Sequence, residues 1–408
     1  MLNNSIVEQK EKLNIYISTF LLIFLSSGFG IGNLNGGTGI LFSCLVLFVY
    51  IILTNIRTAT KIQLLPTMCM GIAVISYAVN GESAKQTIIL ISYFCLAMTF
   101  CSAYGVKRWF KIYVKVMYVI AICSIVLYVM DMIMPSVLKY LPKVTNSAGL
   151  EKGTILFAVT PTQNRNYGCF WEPGAFQTYL LIAFIIEVFE FNVSNKKRVI
   201  ALLIALVTTF STAGYAAMII AIVAVMMSGL MDEKLKKSVR NIIIIVLIAV
   251  VVAYYIIQNF YPQLAYVLFG KVEKYNQTRN DNSSTGVRVN AIVEGFKVFF
   301  ENPIFGVGKT KMKSMFMDMY GHEMVTCTYA NWFAYFGMVF GCLMLYGLFM
   351  FTRNFTNSLI VRWVLFAALM ASITSEDYVM NPSILILIFY GFQAAAKYGR
   401  IRLGGRYG

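Results

Sequence analysis

Residues 37–55 read GTGILFSCLVLFVYIILTN, a stretch without a single acidic or basic side chain. A helix needs about 20 consecutive apolar residues to cross the hydrocarbon layer of a membrane. This stretch has that length, and similar apolar blocks, divided by short polar segments, recur along the chain. The pattern predicts an all-α polytopic membrane protein, because an open sheet edge in lipid would leave backbone polar groups unpaired.

The composition agrees with this prediction. Hydrophobic residues make up 59% of the chain and charged residues 13%, whereas a soluble domain has about 25% charged residues. The chain, 1–408, is expected to form a single integral membrane domain of about twelve spans. The seventh and eighth are divided only by Ser211–Gly214, so two broken segments are the alternative. The predicted spans are about 13–32, 37–55, 64–80, 87–104, 112–134, 174–192, 198–211, 214–231, 240–260, 327–350, 358–374 and 380–397.

Basic residues in the short loops predict the orientation of the spans. One side collects groups such as Lys107 with Arg108, while the short loops of the other side hold only Lys85. Both termini are then cytoplasmic, and two large loops, 135–173 and 261–326, lie outside. The formal charge of +16 largely borders an anionic inner leaflet, so a nucleic-acid partner is not needed to explain it.

The segment 306–310 reads GVGKT, like the end of a nucleotide-binding P-loop. A P-loop needs glycine five residues before its Gly-Lys pair, where this chain has Pro303, and it follows a strand rather than a helical pattern. The segment also lies in the second outer loop, away from ATP. We therefore predict no nucleotide, and expect amides at Gly306 and Gly308, with Lys309, to receive the phosphate of another ligand.

The first outer loop ends in NRNYGCFWEPGAF, residues 164–176. The proline after Glu172 suits the first turn of span six and places this carboxylate at a helix N-terminus. One interpretation is a capped helix, with Glu172 at its start and Trp171 as an interfacial anchor. The other is a site for sugars and anionic groups, built from Glu172, Arg165, Trp171 and Tyr167.

In the second outer loop, apolar residues spaced 3, 4 and 3 apart over 289–299 predict an amphipathic helix, ended by Asn302 ahead of proline. Arg288, in its first turn, is either a snorkelling surface residue or an anion ligand. His322 is the only histidine, a candidate proton-transfer group. Because the eight cysteines lack zinc-like spacing, we predict no metal. Five acidic residues fall near span ends, which argues against a proton-coupled transporter: Asp131, Glu187, Glu190, Glu376 and Asp377.

These motifs, in this order, resemble the O-antigen polymerase and O-antigen ligase superfamily of bacterial glycan-assembly enzymes. The residues that carry the resemblance are short motifs spread over most of the chain: Arg165, Gly168, Phe170 and Glu172–Gly174; Thr209, Ser211, Thr212 and Gly214; Gly286, Arg288 and Asn302–Gly308; and His322 with Asn331–Gly337.

The resemblance implies transfer of a polyprenyl-diphosphate-linked glycan at the outer face of the bacterial plasma (inner) membrane. Such a glycosyltransferase needs no metal, nucleotide or other cofactor. Because Glu172 precedes proline, as in the polymerases, we interpret the chain as a polymerase of undecaprenyl-diphosphate-linked repeat units for O-antigen or capsule. The alternatives are a ligase that transfers finished glycan to lipid A-core, and a transporter or flippase of lipid-linked sugars. Expected partners are the lipid-linked donor and acceptor, membrane lipid and a chain-length regulator.

The expected roles follow from the chemistry of that reaction. Arg165 and Arg288 would stabilise charge on the leaving diphosphate. Either Glu172 or His322 would accept the proton of the attacking sugar hydroxyl. Aromatic side chains would stack on sugar rings: Tyr167, Trp171 and Trp332.

Overall fold

The computed structural model describes residues 2–26, 38–55, 63–134, 136, 140, 144–145, 151–152, 165–230, 284–323 and 325–404. Within these ranges the protein is helical, apart from an antiparallel pairing of β1 (Val144–Thr145) with β2 (Glu151–Lys152). The described helices are α1 (Leu2–Ser26), α2 (Thr38–Thr54), α3 (Leu64–Val79), α4 (Ala84–Ala103), α5 (Val106–Ile133), α6 (Pro173–Phe191), α7 (Lys196–Thr208), α8 (Thr212–Met227), α9 (Ser284–Glu301), α10 (Lys309–Tyr320), α11 (Thr328–Phe336), α12 (Met338–Phe351), α13 (Leu359–Ile373) and α14 (Pro382–Gly404).

Three of these helices, α4, α5 and α6, are long and apolar enough to cross a membrane, and several shorter apolar helices accompany them. This all-helical arrangement is consistent with the predicted polytopic membrane protein. Eleven of the twelve predicted spans fall on described helices. The ninth, 240–260, lies outside the described residues, and the total of twelve stays a prediction.

The central helix is α6. Within its apolar stretch 89% of the residues are buried, against 44% for α4 and 28% for α5. It contacts α5, α7, α8 and α13. Pro173 occupies its first turn and Asn192, in the left-handed region with a φ of 48°, ends it. Because α6 is surrounded, groups at its N-terminus lie among other helix ends.

Spans seven and eight are two separate helices. Asn195 caps α7 by accepting a hydrogen bond from the Arg198 amide, and Ser211 caps α8 through the Gly214 amide. Between them Phe210 has a φ of 47°, a left-handed conformation that helices do not continue through. With 13 and 16 residues, both helices are shorter than the ~20 residues of a full straight span.

The prediction of span ten as one helix was wrong. The chain breaks at Gly337, whose φ of 82° and ψ of −174° end α11 and start α12. A Cβ at Gly337 would lie 2.1 Å from the carbonyl oxygen of Ile304, so glycine is required by a close approach of backbone. The predicted amphipathic helix is present as α9, which ends at Glu301, just before Asn302.

Candidate active site

The N-terminus of α6 holds the first predicted site residue. Glu172 is the N-cap residue of α6, with extended backbone, but its side chain accepts no capping hydrogen bond. Its side chain is exposed, so the carboxylate is accessible to a ligand. The interpretation of Glu172 as a helix-capping side chain is therefore wrong, although its position at the start of the helix was predicted correctly.

Beside it lies Glu376, in the connection between α13 and α14. This side chain is only 5% exposed, and its Oε2 accepts a 2.9 Å hydrogen bond from the indole Nε1 of Trp171. Its backbone carbonyl accepts from the Thr328 hydroxyl at 2.8 Å. A Cβ at Gly174 would lie 2.5 Å from Oε1 of Glu376. The second residue of α6 is thus a glycine because the Glu376 carboxyl occupies the space.

Burial, followed by repulsion from the Glu172 carboxylate, raises the pKa of Glu376 well above its usual value, while the Trp171 hydrogen bond and Arg288 act in the opposite direction. Its Oε1 accepts no hydrogen bond from the described part of the chain. A desolvated carboxyl beside a second carboxylate is held neutral. Burial and the neighbouring carboxylate of the exposed Glu172 therefore favour the protonated form of Glu376.

Arg165 is directed at the turn between α7 and α8. Its Nε donates to the Thr209 carbonyl and its Nη2 to the Phe210 carbonyl, both at 2.9 Å. The Asn166 amide donates to the Thr208 carbonyl at 2.9 Å. Two of the motifs singled out in the sequence therefore contact each other directly. Two of the three guanidinium nitrogens of Arg165 donate hydrogen bonds to this turn. Arg165 is therefore a positioning residue for the turn between α7 and α8.

Electrostatic interactions place Arg288 in the same site. Burial lowers the pKa of Arg165, Arg288 lowers it further, and Glu172 raises it. Glu172 and Arg288 are also the charges that act on Glu376. We call Arg165, Glu172, Arg288 and Glu376 the Glu–Arg cluster. Arg165 and Arg288 both act electrostatically on this pair of carboxyl groups, of which Glu376 favours its protonated form, and the resulting charge balance suits an anionic ligand.

The amides of the GVGKT segment are not free to bind phosphate, contrary to expectation. Gly306 N donates to the Asn302 carbonyl at 3.0 Å and Gly308 N to the Tyr335 carbonyl at 3.2 Å. A Cβ at Gly306 would lie 2.4 Å from the Ala334 carbonyl oxygen. These glycines allow the segment to cross the end of α11 in backbone contact, and they leave no phosphate cradle.

The start of α10 is also occupied. The Glu82 carboxylate accepts from the Thr310 amide and hydroxyl, each at 2.6 Å. A protein carboxylate thus satisfies the helix N-terminus, where a ligand phosphate was expected. The Nζ atom of Lys309 lies 3.6 Å from Oδ2 of Asp377, the residue after Glu376. It borders the Glu–Arg cluster, but its charge is partly balanced by its own partner.

Four other predicted residues lie differently from expectation. Trp332 is completely buried and Tyr167 is 4% exposed, so neither ring presents a face to a sugar. Trp171 is half-buried and its ring packs edge-on against Tyr378 at 5.7 Å. His322 stacks on the Tyr320 ring of α10 at 6.0 Å. These ring contacts of His322 are to α10 and not to members of the Glu–Arg cluster.

Within the described ranges, no group of three His, Cys, Asp or Glu side chains is arranged to hold a metal ion. The arrangement defines a class: a helical membrane protein whose charged site joins the first residues of a buried central helix to a connection between later helices. Residues 199–331 match the family model described as O-antigen ligase. This match confirms the predicted resemblance to the O-antigen polymerase and ligase superfamily. No curated protein matches the chain.

The matched segment includes Arg288 and the GVGKT segment, while Arg165 and Glu172 precede it and Glu376 follows it. Glu376 was recognised in the sequence only as one of several acidic residues near span ends. Its signal was weak, because a carboxylate in a short helix connection is ordinarily solvated. Its burial depends on Gly174 and Trp171, more than 200 residues earlier, and no local pattern reports that.

Proposed function

We propose that this protein polymerises polyprenyl-diphosphate-linked oligosaccharide repeat units at the outer face of the bacterial inner membrane. The observation that carries the proposal is the Glu–Arg cluster: an accessible carboxylate, Glu172, beside a buried carboxyl with a raised pKa and two arginines. The family supports it, since its members transfer glycans in polysaccharide assembly. The proposal includes the predicted orientation, with both termini cytoplasmic and the two large loops outside.

In the proposed reaction the bond between the anomeric carbon of the donor and its diphosphate oxygen breaks. The electron pair leaves with the diphosphate, where Arg288 stabilises the developing charge, because preorganised donors act strongly in a poorly solvated site. A hydroxyl oxygen of the acceptor sugar forms the new bond to that carbon. The hydroxyl proton moves to Glu172, so atoms and charges balance without a metal or a nucleotide.

Environment favours Glu172 over His322 as the base. A buried carboxyl favours its neutral form, whereas an exposed carboxylate within reach of the substrate can accept a proton. Burial raises the pKa of Glu376 and so favours its protonated form, whereas Glu172 is exposed. The ring contacts of His322 are to Phe316 and Tyr320 of α10, whereas Glu172 is itself a member of the cluster, so we assign the proton transfer to Glu172.

Arg288→Ala tests the assignment to an anionic leaving group. In cells, this variant should be inserted normally and should shorten the surface glycan to single repeats. Lys297→Ala is the matched control, because Lys297 lies on the same helix, with its side chain 63% exposed, and should leave the ladder of chain lengths unchanged. Normal ladders in the Arg288 variant would remove Arg288 from the site.

The family description favours a ligase as the second candidate. A deletion strain separates the alternatives. Single repeats on the lipid carrier of the outer leaflet indicate a polymerase, and long polymer stranded on the carrier indicates a ligase. Accumulation of lipid-linked repeats in the cytoplasmic leaflet would instead indicate a flippase.

A further inference from the structure

A second charged feature is an open cavity of about 490 Å³ lined by residues of α1, α5 and the ends of α2 and α4. Basic residues are the largest group in its lining, Glu11 is the acidic member, and Ile15, Ala103 and Ile112 are the apolar members. The remaining lining residues are polar or basic: Lys12, Asn55, Tyr104, Arg108, Lys111 and Lys115.

The cavity lies at the opposite end of the helices from the Glu–Arg cluster. Near the start of α5, Lys107 forms an ion pair with Glu190, close to the C-terminal end of α6. Farther along α5, the Ser124 hydroxyl accepts a 3.1 Å hydrogen bond from Asn166, which precedes α6. The two helices are therefore antiparallel. The basic end of α5 points away from the proposed catalytic face.

The length of α5 places the cavity at headgroup depth. This helix has 28 residues, whereas about 20 cross the hydrocarbon layer. The last part of α5, residues 114–133, is sufficient for the crossing. Arg108 and Lys111 then lie at the membrane surface, and Lys115 lies just inside it. Spacings of three and four place Arg108, Lys111 and Lys115 on one side of the helix, and long lysine side chains extend towards the headgroups from just inside the surface.

Charge and polarity together indicate the kind of ligand. Lys12, Arg108, Lys111 and Lys115 contribute four positive charges against Glu11, whose carboxylate lies 3.2 Å from Arg108. An inorganic anion would use the basic residues alone. A molecule with a phosphate group and attached acyl chains would contact both the basic residues and the apolar lining residues Ile15, Ala103 and Ile112. Basic pockets between helix ends at the membrane surface recognise anionic lipid headgroups.

We propose that this cavity binds the phosphodiester headgroup of an anionic phospholipid, with Lys111 and Lys115 as the principal contacts. The lipid would hold the amino-terminal half of α1 against α5 on the face opposite to the Glu–Arg cluster. The site does not depend on the proposed polymerase activity.

The test measures lipid binding to the purified full-length protein in detergent, by native mass spectrometry and by the thermal shift on titration. The probes are phosphatidylglycerol, phosphatidylethanolamine and inorganic phosphate. We expect phosphatidylglycerol to bind and to raise Tm, and phosphatidylethanolamine to bind at least tenfold more weakly. The variant Lys111→Gln/Lys115→Gln should lose roughly tenfold or more in affinity for phosphatidylglycerol, because each basic residue contributes to attraction at an anionic surface.

The matched control is Lys196→Gln/Lys197→Gln, which removes the same charge from exposed positions at the start of α7 and should bind like the wild type. Equal binding of phosphatidylglycerol and phosphatidylethanolamine to the wild type would overturn the proposal without any variant. So would an equal loss in both double variants. Inorganic phosphate that binds as tightly as phosphatidylglycerol would assign the cavity to a soluble anion instead of a lipid.

Discussion

The indole Nε1 of Trp171 donates a 2.9 Å hydrogen bond to Oε2 of Glu376, across 205 residues of sequence. The bond links the residue before the N-cap of α6 to the connection between α13 and α14. It gives Trp171 a role different from sugar stacking, because its N–H is directed at a buried carboxyl. Substitutions separate the two roles, since phenylalanine keeps an aromatic face and removes the N–H.

Trp171→Phe should lower polymerisation about tenfold or more, because a buried hydrogen bond to the carboxyl is lost at a cost of about 1–3 kcal/mol. If stacking on a sugar were the main role, Trp171→Phe would retain most of its activity and Trp171→Leu would not. Glycan chain length in cells and repeat-unit consumption in liposomes measure the difference.

Glu172→Gln removes the proposed base and keeps the size of the side chain. We expect the rate of repeat-unit transfer to fall by about 10²–10⁴-fold, with normal insertion, because Glu172 is exposed and caps nothing. Glu323→Gln serves as the control, since its side chain is 59% exposed and lies 3.4 Å from Lys313. A Glu172 variant as fast as this control would assign the proton transfer to another residue.

Glu376→Gln should alter the pH dependence of stability. Because the pKa of Glu376 is raised in the folded protein, the folded state binds more protons than the unfolded state between the ordinary pKa of 4.5 and the folded value. The free energy of unfolding then falls as pH rises through that window, by at most about 1.4 kcal/mol per pH unit. The glutamine variant should lack this decline, which thermal unfolding in detergent from pH 5 to 8 will measure. Parallel curves for the two proteins would show that Glu376 ionises normally.

Gly174→Ala introduces a Cβ that would lie 2.5 Å from Oε1 of Glu376. The carboxyl must move, and we expect a loss of about 1–3 kcal/mol in stability together with a reduced transfer rate. Gly71→Ala is the matched change on α3, where a Cβ meets nothing within 4 Å, and it should be neutral or stabilising. If both alanine variants behaved alike, close packing at the start of α6 would not control the position of Glu376.

Sequence predicted the helices well where hydrophobic length decides the structure. The blocks that became α4, α5 and α6 are apolar over a full membrane thickness, so their boundaries were found within a few residues. The prediction of span ten as one helix failed because the helix breaks at Gly337, where the backbone of Ile304 packs against the chain. Local hydrophobicity carries no signal of that contact. A long-range contact overrode a continuous apolar pattern.

The site was predicted in part for similar reasons. The patterns around Arg165, Glu172 and Arg288 identified residues whose charges interact in the structure, and their roles stay a prediction. Glu376 was not recognised as a partner, because its burial comes from residues that are distant in sequence. The Gly308 amide likewise donates its hydrogen bond to the distant Tyr335 carbonyl. The sequence therefore predicted a phosphate-binding segment whose amides are in fact already hydrogen-bonded.

The crossing of the GVGKT segment with the break at Gly337 explains why this chain imitates a nucleotide-binding motif. Val307 N donates to the Ala334 carbonyl and Met338 N to the Pro303 carbonyl, each at 2.8 Å. A side chain on either Gly306 or Gly337 would push these two backbone segments apart. A larger residue at either position cannot be accommodated by a change at the other, because glycine is already the smallest residue at both. The glycines that make this segment resemble a P-loop are present because two chain segments cross there without room for a single methyl group.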